Sequence, residues 1–162
     1  MGVPPIPRFK THMGTVDEIL KAAKERATEM NLPYAGALLP REAYLLMTET
    51  ANAKLVDVRS CAEWDWVGRV PGCVEIEWLA YPSSQPNPNF LNQLEQQVKL
   101  DSLVMFICRS GQRSHHAAIM ATKAGYSSCF NVLEGFEGDK DSQQHRNTIG
   151  GWRVAGLPWV QS

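Results

Sequence analysis

The chain has 162 residues, of which 44% are hydrophobic, and this is enough to bury the core of one domain. Its 16 basic and 17 acidic side chains give a formal net charge of −1, which argues against a global positive field for binding nucleic acid or an anionic membrane. The 4 cysteines form no C-x-x-C pair and no cluster with histidine at metal-ligand spacing, so we expect neither a structural zinc site nor a disulfide framework.

The start of the chain, M-G-V-P-P-I-P-R-F-K, lacks the apolar segment of a secretory signal. No apolar run in the sequence approaches the length needed to span a bilayer. We therefore expect a cytoplasmic protein with reduced thiols that binds neither a membrane nor nucleic acid.

An amphipathic helix is predicted over residues 16–30. It follows T-V-D-E at 15–18, a capping-box pattern in which threonine and glutamate side chains satisfy free backbone amides at a helix start. Its apolar residues recur at helical spacing: Val16, Ile19, Leu20, Ala23, Ala27 and Met30. After the loop N-L-P-Y-A-G-A, Pro40 is typical of a first helical position and begins a second helix.

Short apolar runs further along the chain predict strands that alternate with helices. The strands are predicted at 54–58, 73–78, 102–107 and 129–133, and the helices at 90–98 and 113–124. The run S-L-V-M-F-I at 102–107 is apolar on both faces, as in the centre of a parallel sheet. The alternation predicts an α/β fold with a mainly parallel sheet.

The stretch C-R-S-G-Q-R-S at 108–114 follows this central strand directly. Ligands bind beyond the carboxyl ends of the strands in open parallel sheets, so Cys108 lies where a functional residue is expected. The helix that begins after the loop offers free N–H groups and the positive end of its dipole. Gly111 lets the backbone turn tightly, so that consecutive amides can surround one anion.

The charge around Cys108 favours the thiolate, which is the nucleophilic form of cysteine. No acidic residue lies between Asp101 and Glu134. The same interval contains these basic or imidazole side chains: Arg109, Arg113, His115, His116 and Lys123. Most free cysteines are buried as small apolar residues, but packing explains neither the arginines nor the glycine of this loop. We therefore interpret Cys108 as a nucleophile.

Three other residues have weaker functional interpretations. His115 and His116 could pair with Cys108 as in a cysteine protease, but both lie early on the following helix and no orienting Asn or Asp is evident. We expect these histidines instead to be solvated or to adjust the electrostatic field around Cys108. Cys61, in the loop predicted after the first strand, could serve as a resolving thiol.

The spacing of cysteine and arginine in the loop separates two chemistries. Cysteine-dependent phosphatases cradle a tetrahedral phosphate in a C-x5-R loop, whose arginine clamps two oxygens. Here Cys108 and Arg113 form a C-x4-R loop, so the ring of amides is smaller. A smaller ring suits a terminal sulfur with a negative charge, and this favours a persulfide over a phosphoenzyme.

Four motifs together resemble the rhodanese, or thiosulfate sulfurtransferase, family in its single-domain form. The first is L-V-D-V-R-S-C-A-E-W at 55–64 followed by G-R-V-P-G-C at 68–73, and the second is the C-R-S-G-Q-R-S loop. N-V-L-E-G-F-E-G at 131–138 and G-W-R-V-A-G-L-P-W at 151–159 resemble the C-terminal pattern of that family. The chain departs from the family where Arg69 replaces histidine and Glu134-Gly135 replaces two glycines.

The resemblance implies a three-layer α/β fold in which helices flank a mainly parallel five-stranded sheet. It also implies a division of the chain into an N-terminal extension, 1–35, which contains the first helix, and a rhodanese-like domain, 36–162.

The resemblance further implies that Cys108 is the nucleophile at the start of a substrate-binding loop. The other loop residues would bind the sulfur, mainly through backbone N–H groups: Arg109, Ser110, Gly111, Gln112, Arg113 and Ser114. Asp57 and Arg59 match the D-x-R motif and would form an ion pair near the loop, unless Arg59 faces the pocket. Arg69 is, like Asp57 and Arg59, a candidate for the pocket or for a structural ion pair.

The implied activity moves a sulfane sulfur from thiosulfate or another persulfide donor, through a Cys108 persulfide, to cyanide or a thiol acceptor. It needs no metal and no cofactor. One alternative is a sulfur carrier or persulfide-sensing module that serves a sulfur-accepting protein. A second alternative is a phosphatase or arsenate reductase of the related type with a seven-residue loop.

Overall fold

The structure is a computed structural model, and it describes residues 9, 11 and 14–162. Five parallel strands form one sheet in the order β1-β5-β4-β2-β3. The strands are β1 Gly36–Leu38, β2 Ala53–Asp57, β3 Val74–Glu75, β4 Leu103–Ile107 and β5 Cys129–Val132. The helices are α1 Val16–Glu29, α2 Pro40–Glu49, α3 Cys61–Trp66, α4 Phe90–Gln97 and α5 Gln112–Lys123. This architecture confirms the predicted α/β fold.

Two apolar layers cover the two faces of the sheet, because successive side chains of a strand point to opposite faces. On β4, Val104 and Phe106 pack with α4 and α5, whereas Met105 and Ile107 pack with α1 and α2 on the other face. All four side chains are fully buried, which explains why this strand is apolar throughout. The buried strand β4 therefore holds Cys108 at its carboxyl end.

Helix α1 packs into the same core as the sheet. Ile19 and Ala23 are fully buried, and their apolar cluster includes residues of α2 and of the sheet. Arg26 joins Glu42 of α2 through Nη1–Oε1 and Nη2–Oε2 distances of 2.6 and 2.8 Å, and it donates to the carbonyl of Ala37 at 3.0 Å. Packing and charge thus tie α1 to the rest of the chain, while the domain division after residue 35 stays a prediction.

Two strands differ from the prediction. The loop predicted after the first helix contains β1, a strand of 3 residues that pairs with β5 at the edge of the sheet. The strand predicted at 73–78 is reduced to β3, because the regular pairing with β2 ends at Asp57, although the amides of Ile76 and Trp78 still donate to the carbonyls of Asp57 and Val58 at 3.0 and 3.1 Å. These hydrogen bonds hold the residues after β3, including Trp78, where they form a wall over the carboxyl ends of the strands.

The segment after β2 also differs from the prediction, since Cys61 is the first residue of helix α3 and does not lie in a loop. The pattern S-C-A-E at 60–63 is a capping box: Ser60 Oγ accepts from the Glu63 amide, and the Glu63 carboxylate accepts from the Ser60 amide. This local signal was present in the sequence and would have predicted α3.

Candidate active site

Cys108 begins the loop between β4 and α5, and the residue is 1% exposed. Gly111 turns this loop with a φ of 103°, which lies in the left-handed region that favours glycine. The turn points the Gly111 N–H at the thiol, with an N–Sγ distance of 3.2 Å. Because Gly111 is also the N-cap of α5, the positive end of the helix dipole lies beside Sγ, where it would stabilise a negative charge on sulfur.

Ser114 and Asn131 form a buried hydrogen-bond network behind the thiol. Ser114 Oγ lies 3.2 Å from Cys108 Sγ and donates to Asn131 Oδ1 at 2.6 Å. Asn131 Nδ2 donates to the Gly111 carbonyl at 3.1 Å, and this bond holds the turn of the loop. A serine hydroxyl has one proton, so while it donates to Asn131 the contact with sulfur needs the thiol proton. Once a thiolate forms, the same hydroxyl can turn its proton toward sulfur.

Gly135 supports the outer side of the loop. The carbonyls of Cys108 and Arg109 accept hydrogen bonds from the amides of Phe136 and Glu137 at 2.8 and 2.9 Å. A Cβ atom on Gly135 would come within 2.5 Å of the Cys108 carbonyl oxygen, and its φ is 65°. These bonds turn two loop carbonyls away from the thiol, so the amides can line the inner side of the loop.

A cavity of about 270 Å³ opens over the thiol. Its walls come from the loop after β3, from the Cys108 loop and from α5: Trp78, Leu79, Cys108, Arg109, Ser110, Gln112, Arg113 and His116. Sequence reasoning had not assigned Trp78 and Leu79 to the site, because the first was predicted to lie on a strand. The cavity is small, and Ser110, Gln112 and the two loop arginines contribute polar groups to it, as a site for a compact anion requires.

Arg113 lines the cavity, but its guanidinium is already paired. Its Nη1 and Nη2 atoms lie 2.6 and 3.0 Å from the two carboxylate oxygens of Glu63 on α3. Burial by itself raises the pKa of Glu63, yet the hydrogen bonds and charge of Arg113 outweigh it and hold this pKa at about 2. The pair fastens α5 to α3, so Arg113 orients the loop in addition to contributing charge.

Arg109 has no carboxylate within salt-bridge distance in the described part of the chain, and its side chain is exposed. It lines the cavity over Cys108 and also a neighbouring polar pocket, in which Lys140, His145 and Arg146 accompany Glu137. Of the two loop arginines, Arg109 is therefore the one that can present an uncompensated positive charge to an incoming anion.

The other predicted ion-pair residues lie outside the cavity. Asp57 and Arg59 are fully buried and joined at 2.7 Å, and Arg59 also donates to the Gly68 carbonyl and stacks over Phe136 at 4.1 Å. Arg69 pairs with Asp65 at 2.7 Å on the surface, and its backbone bridges to Val160. Asp57 and Arg59 thus have a structural position behind the site, and Arg69 lies away from the thiol cavity.

The remaining cysteines have environments that disfavour the thiolate. Burial raises the pKa of Cys73 to about 12 and that of Cys129 to about 11. The charge of Asp65 raises the pKa of the exposed Cys61 above its ordinary value. The neighbouring carboxylate of Asp65 makes Cys61 poorly suited to the role of a resolving thiol.

His115 points away from the cavity, and His116 lines it. His115 Nδ1 lies 2.7 Å from the Tyr34 hydroxyl, in the segment before β1. Burial, followed by the charge of His116, lowers the pKa of His115 and so favours the neutral ring, in which an unprotonated Nδ1 can accept a hydrogen bond from the Tyr34 hydroxyl. The cysteine–histidine dyad therefore gains no support from His115.

Within the described residues, no group of three or more His, Cys, Asp or Glu side chains is placed to hold a metal ion. The same part of the chain contains no helix that is long and apolar enough to cross a membrane.

The family model for the rhodanese-like domain matches residues 39–142. The uncharacterized protein RP600 of Rickettsia prowazekii is 36% identical over 120 residues, which cover 73% of this chain and 91% of that protein. The crystal structure of Rv0390 from M. tuberculosis superposes with a TM-score of 0.73 and 41% identity, covering 80% of this chain and 99% of that one. The polysulfide-sulfur transferase homodimer of Wolinella succinogenes shares the fold at a TM-score of 0.55 and 20% identity, over 88% of this chain and 85% of its own.

Proposed function

Because this chain belongs to the rhodanese-like domain family, we propose that it is a sulfurtransferase whose nucleophile is Cys108. It takes a sulfane sulfur from thiosulfate or another persulfide donor and passes it to cyanide or a thiol. The observation that carries the proposal is the position of Sγ, 3.2 Å from the Gly111 amide at the N-cap of α5 and at the base of a small cavity.

In the first step the Cys108 thiolate attacks the outer sulfur of thiosulfate. A bond forms between Sγ and this sulfur, the S–S bond of thiosulfate breaks, and its electron pair leaves with sulfite. The product is an anionic Cys108 persulfide, and the total charge is unchanged. Arg109 attracts the doubly charged donor and the loop amides stabilise the terminal sulfur of the product.

In the second step an acceptor nucleophile attacks the terminal sulfur of the persulfide. With cyanide, a carbon–sulfur bond forms, the persulfide S–S bond breaks, and Cys108 recovers its electron pair as a thiolate while thiocyanate leaves. Neither step consumes an oxidant or a reductant. We place this chemistry in the cytoplasm, where the thiol pool keeps Cys108 reduced.

The experiment is an intact-mass measurement after incubation with thiosulfate. The expected result is a gain of one sulfur atom that cyanide removes, that Cys108→Ser abolishes, and that the matched variant Cys61→Ser retains. An unchanged mass of the wild-type protein contradicts the proposal, and so does hydrolysis of an aryl phosphate.

Turnover distinguishes the enzyme from a sulfur carrier that serves a protein partner. Continuous formation of thiocyanate from thiosulfate and cyanide is expected of the enzyme. A protein that loads sulfur once and then discharges only slowly to cyanide would be a carrier.

A further inference from the structure

A closed ring of side-chain contacts connects the Cys108 loop to the segment before β1. On one side of the ring, Ser114 Oγ donates to Asn131 Oδ1 at 2.6 Å. On the other side, the Tyr34 hydroxyl lies 2.7 Å from Nδ1 of His115, the residue that follows Ser114 on α5. Burial raises the pKa of Tyr34, and a side-chain hydrogen bond with Asn131, which completes the ring, opposes this rise. The ring thus joins α5, β5 and the segment before β1 beside the reactive thiol.

The hydrogen bonds of the Asn131 amide fix its orientation in the core, where the residue is fully buried. The Gly111 carbonyl can only accept, so the amide atom 3.1 Å from it is the nitrogen Nδ2. The oxygen Oδ1 then faces Ser114, and the second hydrogen of Nδ2 is available to the Tyr34 hydroxyl. Asn131 is therefore held by two donated bonds that do not involve Ser114.

The direction of the Tyr34 hydroxyl follows from its contact with His115. Burial lowers the pKa of His115 and so favours a neutral ring, whose Nδ1 can accept the hydrogen bond from Tyr34. The tyrosine oxygen then keeps its lone pairs for the Asn131 amide. In such a chain each hydrogen bond polarises the next, so the acceptor at His115 strengthens the hold of Tyr34 on Asn131.

Asn131 acts on the sulfur of Cys108 through both ends of its amide. Through Nδ2 it holds the turn that points the Gly111 N–H at Sγ, at 3.2 Å. Through Oδ1 it accepts the Ser114 proton while the thiol is present. When a thiolate forms, the Ser114 hydroxyl rotates its proton toward sulfur, and no O–H bond breaks. Because its two N–H bonds keep the amide in place, Oδ1 can accept this proton again when the sulfur loses its charge.

We propose that Asn131 is a positioning residue for Cys108, and that Tyr34 and His115 hold its amide in the working orientation. This inference rests on the proposed function, because it explains how the reacting sulfur keeps its two hydrogen-bond donors through that reaction. His115 acts here through Tyr34 and Asn131 and takes no proton from Cys108.

The first test is Tyr34→Phe, which keeps the ring in the core and removes only the hydroxyl. We expect it to slow both sulfur loading from thiosulfate and alkylation of Cys108 by iodoacetamide by about three- to tenfold, because the Gly111 N–H is aimed less well at the sulfur. Tyr126→Phe is the matched control, since Tyr126 belongs to the same apolar cluster and its hydroxyl donates to the Val98 carbonyl at 2.7 Å. This control also loses a buried hydrogen bond, but both rates should stay unchanged.

His115 is tested with one variant that removes its acceptor and one that replaces it. His115→Leu should slow loading and alkylation as Tyr34→Phe does. His115→Asn places an amide oxygen near the position of Nδ1 and should restore most of both rates. The double variant Tyr34→Phe/His115→Leu should react no more slowly than Tyr34→Phe, because His115 reaches the sulfur only through Tyr34.

Asn131→Asp keeps the shape of the side chain and removes the donated bonds. An ionised carboxylate cannot donate to the Gly111 carbonyl, so loading and alkylation should fall further than in Tyr34→Phe. Asn87→Asp is the control, because the Asn87 amide donates to the Glu77 carbonyl at 2.8 Å, outside the thiol cavity. Circular dichroism checks the fold of each variant, and the uncharged variants of Tyr34 decide the inference where Asn131→Asp does not fold.

Wild-type rates in both Tyr34→Phe and His115→Leu would overturn the inference, and so would losses that multiply in the double variant. A loss of rate with thiosulfate alone also contradicts it, because a positioning role affects the sulfur itself. Alkylation needs no thiosulfate, so its rates decide the role of Asn131 even if the wild-type protein gains no sulfur. That last result would contradict the proposed function only.

Discussion

Arg113 and Glu63 meet across 50 positions of the sequence, with their paired nitrogen and oxygen atoms 2.6 and 3.0 Å apart. The pair joins the first turn of α5 to α3, and it neutralises one of the two arginines of the Cys108 loop. The loop therefore has one arginine that positions it and another, Arg109, whose charge remains available to substrate.

The variant Glu63→Gln tests the structural part of this pair. We expect it to lower the free energy of unfolding at neutral pH by about 1–2 kcal/mol. This lies between the stabilisation typical of exposed ion pairs and that typical of hydrogen bonds to charged groups. The pKa of Glu63 is held at about 2, below its ordinary 4.5, so the stabilisation is present above pH 4.5 and is lost as the pH falls toward 2. Urea unfolding across this pH range should show the free energies of unfolding of the wild type and the variant converging at low pH. A difference that stays constant with pH contradicts the stabilising role of the ionised Glu63.

The variant Arg109→Ala tests the charge at the mouth of the cavity. It should slow sulfur loading from the dianion thiosulfate by about tenfold or more, because the steering charge is lost. Alkylation of Cys108 by neutral iodoacetamide should change much less. Stopped-flow measurements, or mass spectrometry of quenched samples, give both rates. Equal losses of rate for thiosulfate and iodoacetamide would show that Arg109 acts on the thiol itself.

The variant Ser114→Ala tests the hydroxyl beside the sulfur. It removes the Ser114 contact with Cys108 and leaves Asn131 Oδ1 without its donor, so we expect sulfur loading to slow by about tenfold and stability to fall by about 1–3 kcal/mol. Ser102→Ala, at another buried serine, is the control and should leave loading unchanged. Loading at the wild-type rate in Ser114→Ala would exclude the hydroxyl from the reaction.

The variant Gly135→Ala tests the support behind the loop. Its left-handed φ costs about 1 kcal/mol for alanine, and the clash with the Cys108 carbonyl adds about 1–3 kcal/mol. Gly156→Ala is a close control, because Gly156 has a φ of 74° and no atom within 4 Å of the added Cβ. Thermal unfolding should show the larger loss of stability in Gly135→Ala, together with slower sulfur loading. Equal losses of stability in the two variants would mean that the loop moves away from the added methyl group without an energetic cost.

The variant Arg26→Ala tests whether α1 belongs to the cooperative unit. It leaves the carboxylate of Glu42 buried without its guanidinium, which should cost about 3–5 kcal/mol. The double variant Arg26→Met/Glu42→Leu replaces the pair with apolar side chains and should recover most of this loss. Denaturant unfolding followed by circular dichroism checks both; a loss below 1 kcal/mol in Arg26→Ala would indicate that α1 is separable from the domain.

Local signals in the sequence account for the helices better than for the strands. Helical spacing placed both ends of α1 within about one residue, and Pro40 placed the start of α2, since these patterns depend on neighbours along the chain. The edge strand β1 was missed because G-A-L has neither the length nor the β-branched residues of a typical strand. Its conformation comes from pairing with β5, more than 90 positions away.

The sequence by itself determined the layered α/β fold and placed Cys108 at the carboxyl end of the central strand, because both follow from local apolar periodicity and from the order of strands and helices. Only the tertiary structure decided which groups surround the sulfur. Asn131 on β5 donates to the loop, and Glu63 neutralises the charge of Arg113. Trp78, in the segment after the short strand β3, forms a wall of the cavity. These contacts join residues that are far apart in the chain, and no local pattern of charge or hydropathy encodes which of them will meet.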